Sequence, residues 1–207
     1  MRRSLLVLVV VGALMPGAVA ADQLCDRLLP MGLLEPPGGF TSGCARQFTL
    51  KLGASFGPNG NYILLDYPPC AGGPCAGLSA ATQLQCAATS GYGCCVITGQ
   101  HIPTMTGGNV GTLAAGLSQR IALDSDTRSG LCYGTYLGNG ARIANVPLAH
   151  FPGALRTEMV IDRFATVFLV SPAAGSAQAT TVTLEFLALG VTATNSSSWG
   201  RIKLLYR

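Results

Sequence analysis

Charge is scarce in this chain: Lys, Arg, Asp and Glu together make up 11% of its 207 residues, and histidine occurs only twice, as His101 and His150. The 13 basic residues are scattered, and Arg2 and Arg3 account for two of the four net positive charges. No basic stripe is left to follow a phosphate backbone, which argues against nucleic-acid binding. Long apolar runs are also missing beyond residue 20, although the mean hydropathy is +0.42. The apolar excess is diffuse, and nothing after the N-terminus approaches the roughly 18 residues of a membrane span. The serine-hydrolase elbow G-x-S-x-G and the zinc-protease H-E-x-x-H do not occur. The glycines of "TGGNVG" precede a helical pattern but lack the lysine of a phosphate loop. They read as a tight strand-to-helix turn. Glu35, Glu158 and Glu185 are too scattered to nominate a carboxylate pair for hydrolysis.

The N-terminus has the three parts of a secretory signal. "MRRS" is a charged start, "LLVLVVVGALM" an apolar core, and Ala18-Val19-Ala20 a small-residue cleavage site. Gly12 and Pro16 interrupt the stretch, which is short for a spanning helix. The expectation is a signal peptide over 1–20 and an exported chain, periplasmic or extracellular. Membrane association follows only if the segment stays uncleaved.

Cysteine is well represented. Cys25, Cys44, Cys70, Cys75, Cys86, Cys94, Cys95 and Cys132 all follow the cleavage site. An even number in an exported chain reads as disulfides, with roughly a hundred possible pairings. Adjacent Cys94 and Cys95 on a strand point to opposite faces and reach different partners. Two sharper readings compete in "GYGCCVITGQHIPTMTGG". Zinc would need close cysteine pairs, and only Cys70-x4-Cys75 is close, with His101 to spare. A Cys/His nucleophile needs a free thiol, and an even count leaves none. The expectation is therefore no catalytic residue, no metal and no cofactor. Asp124 and Asp126 in "DSDTR" lack the frame of a calcium loop and read as a polar turn after a helix. Asp162 and Arg163 read as an ion pair or a solvated edge.

Periodicity outlines the fold. Phe48, Leu50 and Leu52 alternate with polar residues in a half-buried strand over 46–53. "NYILLDY", Asn61–Tyr67, is a buried strand, and "PPCAGGPCAG" a stapled loop. Leu78–Ala88 is a short helix with Ser79 near its cap. "CCVIT" is a short strand and "GQHIPTMTGG" a turn. Asn109–Asp124 is the clearest helix, with Val110, Leu113, Leu117 and Ile121 on one stripe and Thr106 or Asn109 as its cap. "RIANVPLAHF", Glu158–Pro172 and Ser176–Val191 are further strands, and "GRIKLLYR" a last one. Pro30–Gly43 is turn-rich. The fold class is α+β: an antiparallel, β-rich domain over 46–207, one or two helices packed on its sheet, a disulfide-rich loop, and a turn-rich segment over 21–45.

The order of these pieces resembles the extracytoplasmic C-terminal module of TadE/TadG-like proteins, minor pilin-like components of Flp (tight-adherence) pilus assembly. The positions that carry the resemblance are Asn61-Tyr62, Gly99, Ile102, Thr104, Gly107, Gly111, Arg120, Val146-Pro147, Phe164-Ala165 and Phe168, within residues 46–190. The family's N-terminal membrane helix is replaced here by the signal-like segment, so the chain looks like a free-standing exported form. The resemblance implies a non-catalytic bacterial envelope protein with protein partners, such as pilus or adhesion components. It also implies a scaffold turn through Gly99, Gly107, Gly108 and Gly111. The competing expectation is a secreted hydrolase or ligand-binding module, in which His101 or His150 would meet a carboxylate or a thiol in a cleft.

Overall fold

The computed structural model describes residues 22–52, 61–105, 107–174 and 181–189. The expected signal peptide, Thr106 and the "GRIKLLYR" strand lie outside them. In chain order the strands are β1 (Gln23–Leu24), β2 (Met31–Leu34), β3 (Gln47–Leu52), β4 (Asn61–Leu64), β5 (Val96–Ile97), β6 (His101–Pro103), β7 (Ile143–His150), β8 (Glu158–Ala174) and β9 (Thr181–Leu189). Helix α1 (Ala80–Ser90) follows β4, and α2 (Val110–Ala122) follows β6. Short 3-10 turns occupy Gly107–Asn109 and Tyr133–Thr135.

Strand β8 closes the sheet on itself. It pairs with β7, the order then runs through β2, β4, β3 and β9, and β9 returns to β8. Six strands form a closed, barrel-like ring, and β6 adds to β8 outside it. The strand-rich class with helices packed on it matches the sequence reading; an all-antiparallel sheet does not. The β2–β7 and β3–β4 pairings are parallel, and the other four in the ring are antiparallel. Side-chain alternation reports the face a residue takes, not the direction of its neighbour, so periodicity is blind to this.

Two strands, β2 and β6, lie in sequence that reads as turns. The segment read as turn-rich over 21–45 carries a strand of the ring: β2 sits between β7 and β4. Leu28, Leu29, Met31, Leu33 and Leu34 are all fully buried or nearly so. Asn145 anchors the approach to β2. Its backbone exchanges hydrogen bonds with Arg27 and Leu29, its side-chain amide donates to the Asp26 carbonyl at 2.8 Å, and the Thr166 hydroxyl donates to its Oδ1. The stretch after Gly99, expected as a turn, contains β6, paired with Glu158–Val160 of β8. Pro147 is accommodated within β7 because its position falls between the two bridges to the β2 side, Leu28–Asn145 and Leu33–Leu148.

The core follows from alternation on these strands. Met31, Leu33, Tyr62, Leu64, Val146, Val167, Leu169 and Leu184 face one way and merge with Val110, Leu113 and Leu117 of α2. The opposite face of β2, β4 and β8 packs Leu34, Ile63, Ile161 and Phe164 on the Tyr67–Tyr92 stack and the cysteine-rich loop. Buried on both faces, β2 and β4 therefore read as continuous apolar runs.

Helices α1 and α2 pack directly together at Gly116. A Cβ there would lie 2.6 Å from both Ala88 Cβ and the Gln85 carbonyl oxygen, so α1 backbone would have to move. In an open helix, Gly to Ala gains up to about 1 kcal/mol from propensity. Here overpacking dominates, and Gly116→Ala is expected to destabilise the protein by about 1–3 kcal/mol in urea denaturation. Gly111→Ala, where the new methyl meets nothing within 4 Å, is expected to be neutral or stabilising. Equal effects at the two positions would contradict this packing.

Candidate functional site

All eight cysteines are bonded: Cys25–Cys95, Cys44–Cys132, Cys70–Cys94 and Cys75–Cys86. Adjacent Cys94 and Cys95 do reach different partners, but from the bend before β5 rather than from a strand, so strand alternation is not what separates them. Four disulfides place the chain in an oxidising, extracytoplasmic compartment. Among the described residues no helix is long and apolar enough to cross a membrane. The carboxylate of Glu185 lies within 4.8 Å of the sulfurs of Cys44 and Cys132. Those sulfurs are bonded to each other, so they offer no thiolate, and Glu185 instead accepts the Tyr133 N–H at 2.8 Å.

The "DSDTR" segment is more than a polar turn. Asp124 is buried and pairs with Arg142 at 2.9 Å, their side chains 0% and 8% exposed. Its other oxygen accepts the Tyr136 hydroxyl at 3.0 Å and the Asp126 N–H at 3.1 Å. Burial, with the Asp124 contact adding to it, pushes the Tyr136 phenol up to about 12. Arg142 goes on to donate to the carbonyls of Leu169 and Val170 on β8. Asp126 is held well below the usual carboxylate range by the hydrogen bond from Arg128, helped by the Leu137 N–H. Both carboxylates are thus occupied by protein donors.

Arg120 interrupts the apolar stripe of α2 and is only 4% exposed. Its guanidinium donates to three backbone carbonyls, Ala141 at 2.6 Å, Thr89 at 3.1 Å and Ile143 at 2.9 Å. Burial lowers it to about 10, with nearby Arg27 acting in the same direction. It therefore ties both helices to the start of β7.

The scaffold-turn glycines are distributed along one connection. Gly99 has φ of 79° and its N–H donates to the Ile161 carbonyl. Gly107 and Gly108 lie in the 3-10 turn before α2. Gly111 is in the first turn of α2 itself. Asn109 occupies the cap position without a side-chain cap bond, as does Ser79 before α1, whose hydroxyl meets Thr82 instead.

The two histidines flank β8 on its outer face. His101 on β6 and His150 on β7 are both cross-strand partners of Val160. Directly paired residues share a face, and the next row, Ile161 with Ala149, is buried on the opposite one. His101 Nδ1 lies 3.0 Å from Glu158, and His150 Nδ1 lies 2.7 Å from Asp162. Glu158 and Asp162 stand two residues either side of Val160 on the same strand. Asp162 is the extra residue of a bulge, since Leu148 pairs with Arg163 and Ala149 with Ile161. Asp162 and Arg163 do not pair with each other; Arg163 pairs with Glu35.

Each pair borders a shallow groove. One, of about 480 Å³, is lined by His101, Asp66, Tyr67, Pro68, Leu78 and Gln83. The other, of about 300 Å³, is lined by Asp162, Arg163, Glu35, Leu33 and Leu148. Both histidines meet carboxylates, as the ligand-binding expectation required. They do so on an open, half-exposed face rather than in a cleft. No protein-family model, curated protein or solved structure matches this chain.

Two outcomes follow from this geometry. Arg142→Met would strand a buried Asp124, and is expected to cost about 3–5 kcal/mol in chemical denaturation; a loss below about 1 kcal/mol would show that the pair does not organise this region. Thiol titration of the unreduced, denatured chain is expected to find no free thiol, and peptide mapping to recover Cys94 and Cys95 in separate bridges.

Proposed function

We propose that this is a non-catalytic, exported envelope protein with a structural or interaction role like that of TadE/TadG-like pilus-assembly components. The observation that carries the reading is where the resembling positions meet. Val146 pairs with Ala165 and Pro147 with Phe164 across β7 and β8. Arg120 holds the Ile143 carbonyl at the start of β7. Ile102 pairs with Met159 at the other end of β8. The family-like positions are thus neighbours in one scaffold, and their chemistry is packing and backbone tethering. The disulfides support an envelope setting. A periplasmic or extracellular destination follows from the signal-like N-terminus.

A second reading, a secreted ligand-binding module, is favoured by the two His–carboxylate pairs and the grooves beside them. In vivo cross-linking with mass spectrometry in the native host cell separates the two. The proposed role is expected to recover envelope or pilus-assembly proteins attached through surface residues of this chain. Recovery of the chain uncross-linked, together with specific retention of a small molecule by the purified protein, would favour the second reading and sink the first.

A further inference from the structure

We propose that His101 and His150 form a surface site for a borderline divalent metal ion, of the Zn²⁺, Ni²⁺ or Cu²⁺ class, above Val160. This departs from the expectation that the chain holds no metal, which weighed zinc on the cysteines with His101 as a spare. Four disulfides remove every thiolate from competition. His101 and His150 are then the chain's only nitrogen ligands of this class.

Three observations support the site. First, register puts both imidazoles on one face. Each histidine is the direct partner of Val160 on adjacent strands of one sheet. With strands spaced about 4.8 Å, their Cα atoms are roughly 10 Å apart. Two metal–nitrogen bonds of about 2 Å each take up part of that span. The remainder, about 3 Å for each ring, is within the reach of a histidine side chain, and the residue between them is a valine.

Second, both rings present the same nitrogen. In each, Nδ1 is at hydrogen-bond distance from a carboxylate, Glu158 for His101 and Asp162 for His150. A neutral imidazole that donates from Nδ1 carries its lone pair on Nε2. Metal-binding histidines usually have this carboxylate–histidine arrangement, in which the acid fixes the tautomer and makes the ring a better ligand. Here it occurs twice, with Glu158 and Asp162 two residues either side of Val160. The bulge matters because it inserts Asp162 opposite no β7 residue and leaves it beside His150.

Third, charge and access fit a cation. Glu158 and Asp162 bring two negative charges to the row, while Arg163 is drawn to Glu35. Both histidine side chains are half exposed, at 55% and 53%. The ion therefore has a route in from solvent, and its remaining coordination positions stay open to water or to a side chain of a docked protein.

The test is titration of the mature chain with Zn²⁺ alone in chelator-free buffer, followed by calorimetry and by NMR of the imidazole nitrogens. One equivalent is expected, with both Nε2 signals shifting together in the unmodified protein. His101→Ala or His150→Ala should each weaken binding at least tenfold, and Glu158→Gln or Asp162→Asn by about 10–100-fold. These positions are half exposed, so circular dichroism melting of the variants should match the parent. Absence of binding at millimolar Zn²⁺, two independent weak equivalents, or full affinity in His150→Ala would each overturn the proposal.

Discussion

The backbone ladder of β8 is the constraint on which the rest of the molecule depends. One strand of 17 residues hydrogen-bonds to β6 and β7 along its first part and to β9 along its second. Closure through β8 and β9 leaves the six-stranded ring without a free edge, which removes the usual template for edge-to-edge association. It also turns one face of every strand toward a common core, and α2 contributes its apolar stripe to that core. The register shifts along β8 are where the strand bends to serve three neighbours, and each changes the aim of the side chains next to it.

Scarcity of charge gives each buried ion a defined task. Arg120 and Arg142 lie inside a protein with few ionisable groups, and both direct their guanidinium groups at backbone carbonyls. Planar guanidinium with five donors suits this, because one side chain can donate to several carbonyls at once. Arg120 belongs to α2 but fastens Thr89 of α1 and Ala141 before β7. Arg142 connects the Asp124 turn to β8. These two residues and the Asn145 amide do between segments what regular ladders do within the sheet. The disulfides complete the work where neither is available, closing the stretch from Cys70 to Cys94 around α1 and tying Cys44 to Cys132 across 88 residues.

The outer surface shows the opposite use of charge. His101, Glu158, His150 and Asp162 are exposed enough to meet solvent and partners, yet they are ordered by strand register rather than by loops. A short edge strand carrying paired, half-exposed polar groups is protected from adding another strand and still has side chains to offer. Scaffold and surface thus divide the chain's few charges, with the buried arginines holding the fold and the histidine row facing outward.

Much of this architecture is legible in the sequence. An oxidising compartment and the bonded state of all eight cysteines follow from composition, and both helices and the longer strands from period, because burial of one face leaves a local trace. Other features leave none. The parallel neighbours of β2 and β3, the strands inside Pro30–Gly43 and after Gly99, and the closure by β9 are decided by pairing between distant segments. Arg120 gives no sign beyond a cation on an apolar stripe, and Asp124 no sign of Arg142 across 18 residues. His101 and His150 stand 49 residues apart in the chain and become neighbours only because β6 and β7 flank the same valine. Local pattern determines which residues are buried and which turn outward; only the hydrogen-bonded register of the closed sheet decides which of them meet.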